Sequence, residues 1–223
     1  MKNLSETLHV NKKGIHVLAG VTGDGLTTTA MQISMELGMK LEPSEDKRRP
    51  AVAFFSRELG VHEFVEMQND KFPNVFQQIA NKGCEILFFN SFERDTKDFE
   101  FTLNRCAMEY DIQAIVFDNI AFLPQSKLES RELQNVFIAL EGMMNTYDCP
   151  VIAGLKMNRD VNGLVIDIYD QLIPNLGNGI SKVISSAFRL KRHNEMLDVH
   201  VSKSDYIIDF RPMTFNMNDT YTF

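Results

Sequence analysis

Short apolar runs recur along the chain, each bounded by turn-forming or charged residues. They are nearly continuous in apolar side chains, which is typical of strands buried on both faces of a parallel sheet. The runs predict strands at Gly14–Ala19, Pro50–Phe55, Glu85–Phe89, Ala114–Phe117 and Pro150–Ala153.

The segments between these runs carry apolar residues at three- and four-residue spacing, the period of an amphipathic helix. This spacing predicts helices at Thr27–Met39, Val61–Gln68, Asn74–Ala80, Asp95–Tyr110 and Glu129–Asn145. The alternation of strands and helices favours an α/β fold with a mostly parallel central sheet flanked by helices.

The C-terminal part has a different pattern. Val183–Leu190 and Met196–Ser202 predict two strands joined by Lys191–Glu195, and Tyr206–Phe210 predicts a third. These segments fit an antiparallel hairpin at the edge of the parallel sheet.

Two polar segments are predicted to be loops. Glu42–Arg49 is charged and predicts a mobile loop, and Arg159–Ile180, with a short helix at Val165–Ile173, predicts a loop that faces a partner. No domain boundary is evident, so we expect one domain over residues 1–223 with its core at about 14–210.

Composition adds expectations about compartment and metals. No apolar run reaches the ~20 residues of a membrane span, and Met1–Val10 is too polar for a signal peptide. We therefore expect a cytoplasmic protein with no membrane partner. Cys84, Cys106 and Cys149 are far apart in apolar surroundings, which predicts reduced, mostly buried thiols and no zinc site.

The formal net charge is −7, whereas proteins that grip a nucleic acid backbone usually carry a basic excess. The acidic balance argues against strong autonomous DNA binding and leaves open contacts made collectively by an oligomer. Two basic clusters, Lys47–Arg49 and Arg189–Arg192, are interpreted as a solvated loop and a solvated strand end.

The most informative stretch is the glycine-rich loop Gly20–Thr28, between a predicted strand and a predicted helix. Glycines let such a loop wrap closely, and the N–H groups at the helix start point at a phosphate. Gly20 and Gly25 match the P-loop spacing G-x-x-x-x-G-K-[ST], and Thr27 stands where a hydroxyl would hold Mg²⁺. Leu26, however, replaces the lysine and cannot neutralise the β- and γ-phosphates.

Asp24 adds a negative charge beside the loop and further disfavours a triphosphate. Either this is a nucleotide loop with weakened binding, or its glycines serve packing alone. The candidate nucleotide-binding residues are Gly20, Thr22, Gly23, Asp24, Gly25, Leu26, Thr27 and Thr28.

Three further motifs lie at carboxyl ends of predicted strands, where open α/β sheets build ligand sites. They are Phe55-Ser56-Arg57-Glu58-Leu59, Asp118 and Pro150–Arg159. In this order, with the glycine loop, they resemble the C-terminal motor domain of DnaB-type replicative helicases over roughly 14–206. The resemblance implies a RecA-like P-loop NTPase fold with ATP and Mg²⁺ as ligands.

The resemblance also implies roles. Glu58 would be the general base that activates water, and Asp118 would hold Mg²⁺ through water, beside Thr27 as a direct ligand. The structural alternatives are a solvated charge at a strand end for Glu58, a cap for Asp118 and a helix N-cap for Thr27.

Two positions depart from the family. Lys156 stands where the family has a glutamine that senses the γ-phosphate. It either supplies the charge lost at Leu26, as a catalytic residue, or is a surface lysine. Lys203 matches a family lysine presented to a neighbouring subunit's nucleotide, but Asp205 replaces the accompanying arginine and cannot act as an arginine finger.

Two classes of function remain open. The first is a RecA-type protein of DNA replication or recombination, from a phage or mobile element, with weak or altered ATP hydrolysis. It would form a homo-oligomeric ring or filament that contacts single-stranded DNA. The second is a pseudo-ATPase interaction module that binds or regulates a replication helicase without hydrolysis. An unrelated small-molecule enzyme ranks third, because the sequence shows no catalytic triad or second cofactor motif.

Overall fold

The computed structural model describes residues 3–42, 48–56, 58–90, 96–118, 120, 130–157, 182–207 and 211–217. The strands are β1 (Ile15–Gly20), β2 (Arg49–Phe55), β3 (Glu85–Phe89), β4 (Tyr110–Phe117), β5 (Val151–Lys156), β6 (Ile184–His193), β7 (Met196–Ser204) and β8 (Met213–Asn216). The helices are α1 (Leu4–Thr7), α2 (Leu26–Gly38), α3 (Val61–Lys71), α4 (Val75–Asn81), α5 (Thr96–Cys106) and α6 (Ser130–Tyr147).

The strands form one eight-stranded sheet in the order β3-β2-β4-β5-β1-β6-β7-β8. The pairs from β3 to β6 are parallel, and β7 and β8 run antiparallel. The predicted α/β fold with a C-terminal antiparallel hairpin is therefore confirmed. Because β1, β2, β4 and β5 are parallel, their carboxyl ends meet at one edge of the sheet.

Both faces of the sheet are buried, as the continuous apolar runs predicted. In β1, Ile15, Val17 and Ala19 join a core cluster with residues of α5 and α6, whereas Leu18 joins the cluster formed with α1 to α4. Alternate side chains of a strand point to opposite faces, so each central strand supplies both cores. Full burial of a Leu, Ile or Val side chain contributes about 1.5–3 kcal/mol.

Three predicted boundaries were wrong. Tyr110 was assigned to a helix, but α5 ends at Cys106 and Tyr110 begins β4, where it pairs with Arg49. Arg49, assigned to a loop, accordingly begins β2. An aromatic residue suits a strand, and the turn before it breaks the helical period.

The third C-terminal strand was also misplaced. It is β8, whereas Tyr206 and Ile207, the described part of Tyr206–Phe210, form a turn. The Ser204 hydroxyl accepts hydrogen bonds from the backbone N–H groups of Tyr206 (3.1 Å) and Ile207 (2.9 Å). This local bonding ends β7 and competes with strand formation.

Several expectations lie outside the described residues: the loop 159–180, its helix Val165–Ile173, and positions 43–47 of the charged loop. Within the described ranges, no helix is long and apolar enough to cross a membrane.

Two buried polar side chains fasten the N-terminal segment to the sheet layer. Glu36 of α2 accepts hydrogen bonds from the backbone N–H groups of Leu4 (3.1 Å) and Ser5 (2.6 Å) at the start of α1. His16 of β1 donates through Nε2 to the Lys12 carbonyl oxygen (2.8 Å) and accepts through Nδ1 from the Ser186 hydroxyl (2.7 Å). Burial lowers the pKa of His16 to about 4.

The buried His16 predicts acid lability. Folded His16 stays neutral down to about pH 4, while the unfolded chain binds a proton near pH 6.5. Its contribution is therefore complete above pH 6.5 and is lost as the pH falls to about 4, by up to about 3 kcal/mol. Urea unfolding from pH 7 to 4 will show the stability advantage of wild type over His16→Gln shrinking by up to this amount.

The control is His62→Gln, because the His62 side chain is 86% exposed and folding hardly changes its solvation. A difference between wild type and His16→Gln that does not change with pH would contradict the prediction.

Candidate nucleotide-binding site

The glycine loop lies between the end of β1 and the start of α2. Gly23 and Gly25 have φ angles of 96° and 78°, in the left-handed region that favours glycine. Gly25 is the N-cap of α2, and it has no side chain to cap the first N–H groups of the helix. These donors therefore face a cleft with no competing side-chain acceptor from the cap position.

The cleft beside this loop has a volume of about 210 Å³. It brings together most of the residues predicted from sequence, and it adds Val21 and Arg192. Its lining residues are Gly20, Val21, Thr22, Gly23, Gly25, Leu26, Thr27, Glu58, Asp118, Lys156 and Arg192.

Three predicted nucleotide-binding residues do not line this cleft: Asp24, Thr28 and Lys203. The Asp24 carboxylate turns back onto the loop and accepts a hydrogen bond from the backbone N–H of Val21 (3.1 Å). Lys203, in β7, donates to the Ile184 carbonyl oxygen and lies 3.9 Å from the carboxylate of Asp205.

Leu26 is 9% exposed and belongs to the apolar cluster between α2 and the sheet. At the position of the P-loop lysine, the chain therefore has a core side chain at the inner wall of the cleft. Any cation for a phosphate has to come from another element.

Asp118 follows β4 and is the most deeply buried acid of the cleft, at 1% exposure. Its Oδ2 accepts a hydrogen bond from the Ser56 hydroxyl (2.7 Å), and its Oδ1 accepts none from the described residues. Burial raises the pKa of Asp118, and the hydroxyls of Ser56 and Thr27 oppose that rise. A buried carboxylate oxygen without a partner suits a ligand or an ion in the cleft.

Gly154 of β5 allows Asp118 to sit at this depth. A Cβ atom at position 154 would lie 1.9 Å from the Asp118 carbonyl oxygen. The close approach is fixed by backbone hydrogen bonds on both sides, from Asp118 to the Phe55 carbonyl (2.9 Å) and from Ile120 to the Gly154 carbonyl (2.7 Å).

Lys156 ends β5 and forms an ion pair with Glu58, with Nζ 2.8 Å from Oε1. Both charges act on Asp118: Glu58 raises the pKa of that carboxyl group and Lys156 lowers it. The candidate base and the candidate replacement cation are thus partners in this state of the protein.

Arg192 was assigned from sequence to a solvated strand end. It is exposed, but it lines the cleft, and its Cδ lies 3.5 Å from where a Cβ of Gly25 would be. The alternation of buried and exposed residues along β6 is the sequence signal, because Arg192 follows Phe188 and Leu190 on the α2 side.

The fold and the cleft together define a RecA-like P-loop domain. Among solved structures, the RadB recombinase matches with a TM-score of 0.63 at 15% identity, over 96% of this chain and 93% of that chain. The ATPase domain of a DnaB-like helicase matches with 0.61 at 14% identity, over 92% and 80%. A KaiC-like protein from the archaeon Pyrococcus horikoshii matches with 0.59 at 16% identity, over 92% and 86%. At these identities the likeness shows the fold.

No protein-family model matches the chain, and no curated protein matches it in sequence.

The contact between Gly154 and Asp118 predicts that Gly154→Ala is strongly destabilising. The added methyl group meets backbone rather than a movable side chain, so we expect a loss of about 3 kcal/mol in the free energy of unfolding. Gly142→Ala in α6 is the matched control, since nothing lies within 4 Å of its Cβ position. The control will gain up to about 1 kcal/mol from helix propensity. Equal effects of the two variants in urea unfolding would contradict the prediction.

Proposed function

We propose that this chain binds a Mg²⁺–nucleoside triphosphate in the cleft and acts in DNA replication or recombination, with slow hydrolysis. The observation that carries the proposal is the meeting of Thr27, Glu58 and Asp118 around one glycine loop. A hydroxyl and a carboxylate for the metal, and a second carboxylate for water, are the groups that P-loop NTPases use.

The donor set of the cleft fits Mg²⁺. This ion takes oxygen ligands and is commonly bound by one or two carboxylates together with substrate phosphates and water. Thr27 and Asp118 would hold it, and the unpartnered Oδ1 of Asp118 supports this role. When bound, the ion neutralises part of the phosphate charge.

In the proposal, Lys156 supplies positive charge that Leu26 cannot, and Glu58 is the general base. Their side chains are 24% and 46% exposed, and an ion pair in such a position contributes at most about 1 kcal/mol. A phosphate can therefore draw Lys156 from Glu58 at little cost. Hydrolysis is slow because Glu58 acts only while this pair is open.

The assignment to DNA metabolism draws on the resemblance to DnaB-type domains and on the recombinase among the similar structures. A homo-oligomeric ring or filament that contacts single-stranded DNA belongs to the same proposal. With a net charge of −7, a single chain is poorly suited to hold a phosphate backbone alone.

A pseudo-ATPase that binds or regulates a replication helicase is the second candidate. Two observations favour it: Leu26 is part of the apolar core, and Glu58 is engaged by Lys156. Both withdraw from the cleft a group that phosphoryl transfer requires.

The first prediction from the proposal concerns Lys156. We expect calorimetry with Mg²⁺ to show ATP binding at a micromolar dissociation constant, and Lys156→Ala to weaken it about tenfold, because a charged contact to phosphate is lost.

Lys13→Ala is the control, because it also removes a lysine from an ion pair, with Asp148, but it precedes the amino end of β1. Absence of binding by wild type at millimolar ATP would exclude the nucleotide site and favour the interaction module.

The second prediction concerns Asp118. Asp118→Asn keeps an oxygen that can accept from Ser56 but removes the charge that would hold the cation. We expect Mg²⁺ to raise the ATP affinity of wild type about tenfold and that of Asp118→Asn by less than about twofold.

Asp111→Asn changes an acid of the same strand at its amino end and will retain the full effect of Mg²⁺. A response to Mg²⁺ in Asp118→Asn equal to that of wild type would show that this carboxylate does not hold the ion.

A further inference from the structure

The hairpin of β6 and β7 reaches over the glycine loop. Strand β6 has ten residues and β1 six, and Ala19 of β1 pairs with Arg189 of β6. The end of β6 therefore extends past the last paired residue of β1, at the carboxyl edge of the sheet. A Cβ at Gly20 would lie 3.6 Å from Leu190 Cβ, which shows how closely the strand passes the loop.

The alternation along β6 decides which side chain enters the cleft. Phe188 and Leu190 are fully buried against α2, so Arg192 continues on that face of the strand. Lys191 points to the other face and does not line the cleft. The absence of a side chain at Gly25 leaves room for the stem of Arg192 beside the start of α2.

The guanidinium of Arg192 is held in place from one side. Its Nε donates to the Asn194 carbonyl oxygen (2.8 Å), in the turn that joins β6 to β7. Among the described residues, no carboxylate forms an ion pair with Arg192, whereas the other cation of the cleft, Lys156, is neutralised by Glu58. With Nε engaged, the two Nη groups of this planar donor are directed to other acceptors, and phosphate oxygens match their geometry.

We infer that Arg192 is a phosphate-binding residue that takes the place of the P-loop lysine, presented by the hairpin rather than by the loop. The ligand class is a nucleoside di- or triphosphate, and the inference rests on the proposed function. Lys156 and Arg192 then approach the polyphosphate from two elements, β5 and the end of β6. Leu26 can remain in the apolar core because the charge comes from the far side of the loop.

Calorimetry of four proteins with two probes, Mg²⁺–ATP and inorganic tripolyphosphate, tests the assignment. The proteins are wild type, Arg192→Ala, Arg192→Lys and Lys191→Ala. We expect Arg192→Ala to weaken both probes about tenfold, Arg192→Lys to lie between it and wild type, and Lys191→Ala to stay within about twofold. Lys191→Ala removes the same charge from the neighbouring position, so it separates a local contact from a long-range effect of net charge.

The possible results are distinct. Loss of affinity in Arg192→Ala alone supports the assignment, and thermal unfolding at an unchanged midpoint shows that the variant is folded. Equal losses in Arg192→Ala and Lys191→Ala, or no loss in either, overturn the role of Arg192 while the nucleotide site stands. If wild type binds neither probe, both the inference and the proposed nucleotide site are wrong.

Discussion

Burial of the sheet on both faces is the constraint from which the site follows. Apolar side chains of β1 enter two separate cores, so neither face has room for water or for charged chemistry. Polar groups are left to the edges of the sheet, and the parallel strands bring their carboxyl ends to one of them. Thr27, Glu58, Asp118 and Lys156 come from different parts of the chain and meet there.

At that edge, desolvation sets the electrostatics. Asp118 is buried, which disfavours its charged form, and two hydroxyl groups and Lys156 act against that penalty. The backbone of β5 must come very close for this arrangement, and Gly154 permits it. An isolated carboxylate held at this depth, with one oxygen unpartnered, is costly for the fold unless a cation or a donor completes it. The burial of Asp118 is therefore better explained by a ligand site than by stability.

The sequence predicted what depends on local pattern and missed what depends on chain crossings. Apolar runs located the five parallel strands, and glycine spacing located the loop, because both reflect neighbours along the chain. The strand at Tyr206–Phe210 was misplaced since the Ser204 hydroxyl ends β7 and the chain pairs again only at Met213–Asn216.

Arg192 was missed because a charged residue at a strand end is usually solvated. Its position depends on how far β6 extends past β1, and this overhang cannot be read from composition. The pairing of Lys156 with Glu58 joins residues 98 positions apart, so the sequence suggested each residue but not their contact.

Loss of the P-loop lysine has different consequences for binding and for hydrolysis. Binding needs net positive charge near the phosphates, and that charge can come from any element at the rim of the cleft, since Coulomb attraction has little directional preference. Hydrolysis needs charge placed where it develops in the transition state, together with an unengaged base. Here one cation is paired with the candidate base, and the other stands on a hairpin. Both arrangements serve the first requirement better than the second, so a nucleotide can be held in this cleft far longer than a P-loop enzyme with its lysine would hold it before cleavage.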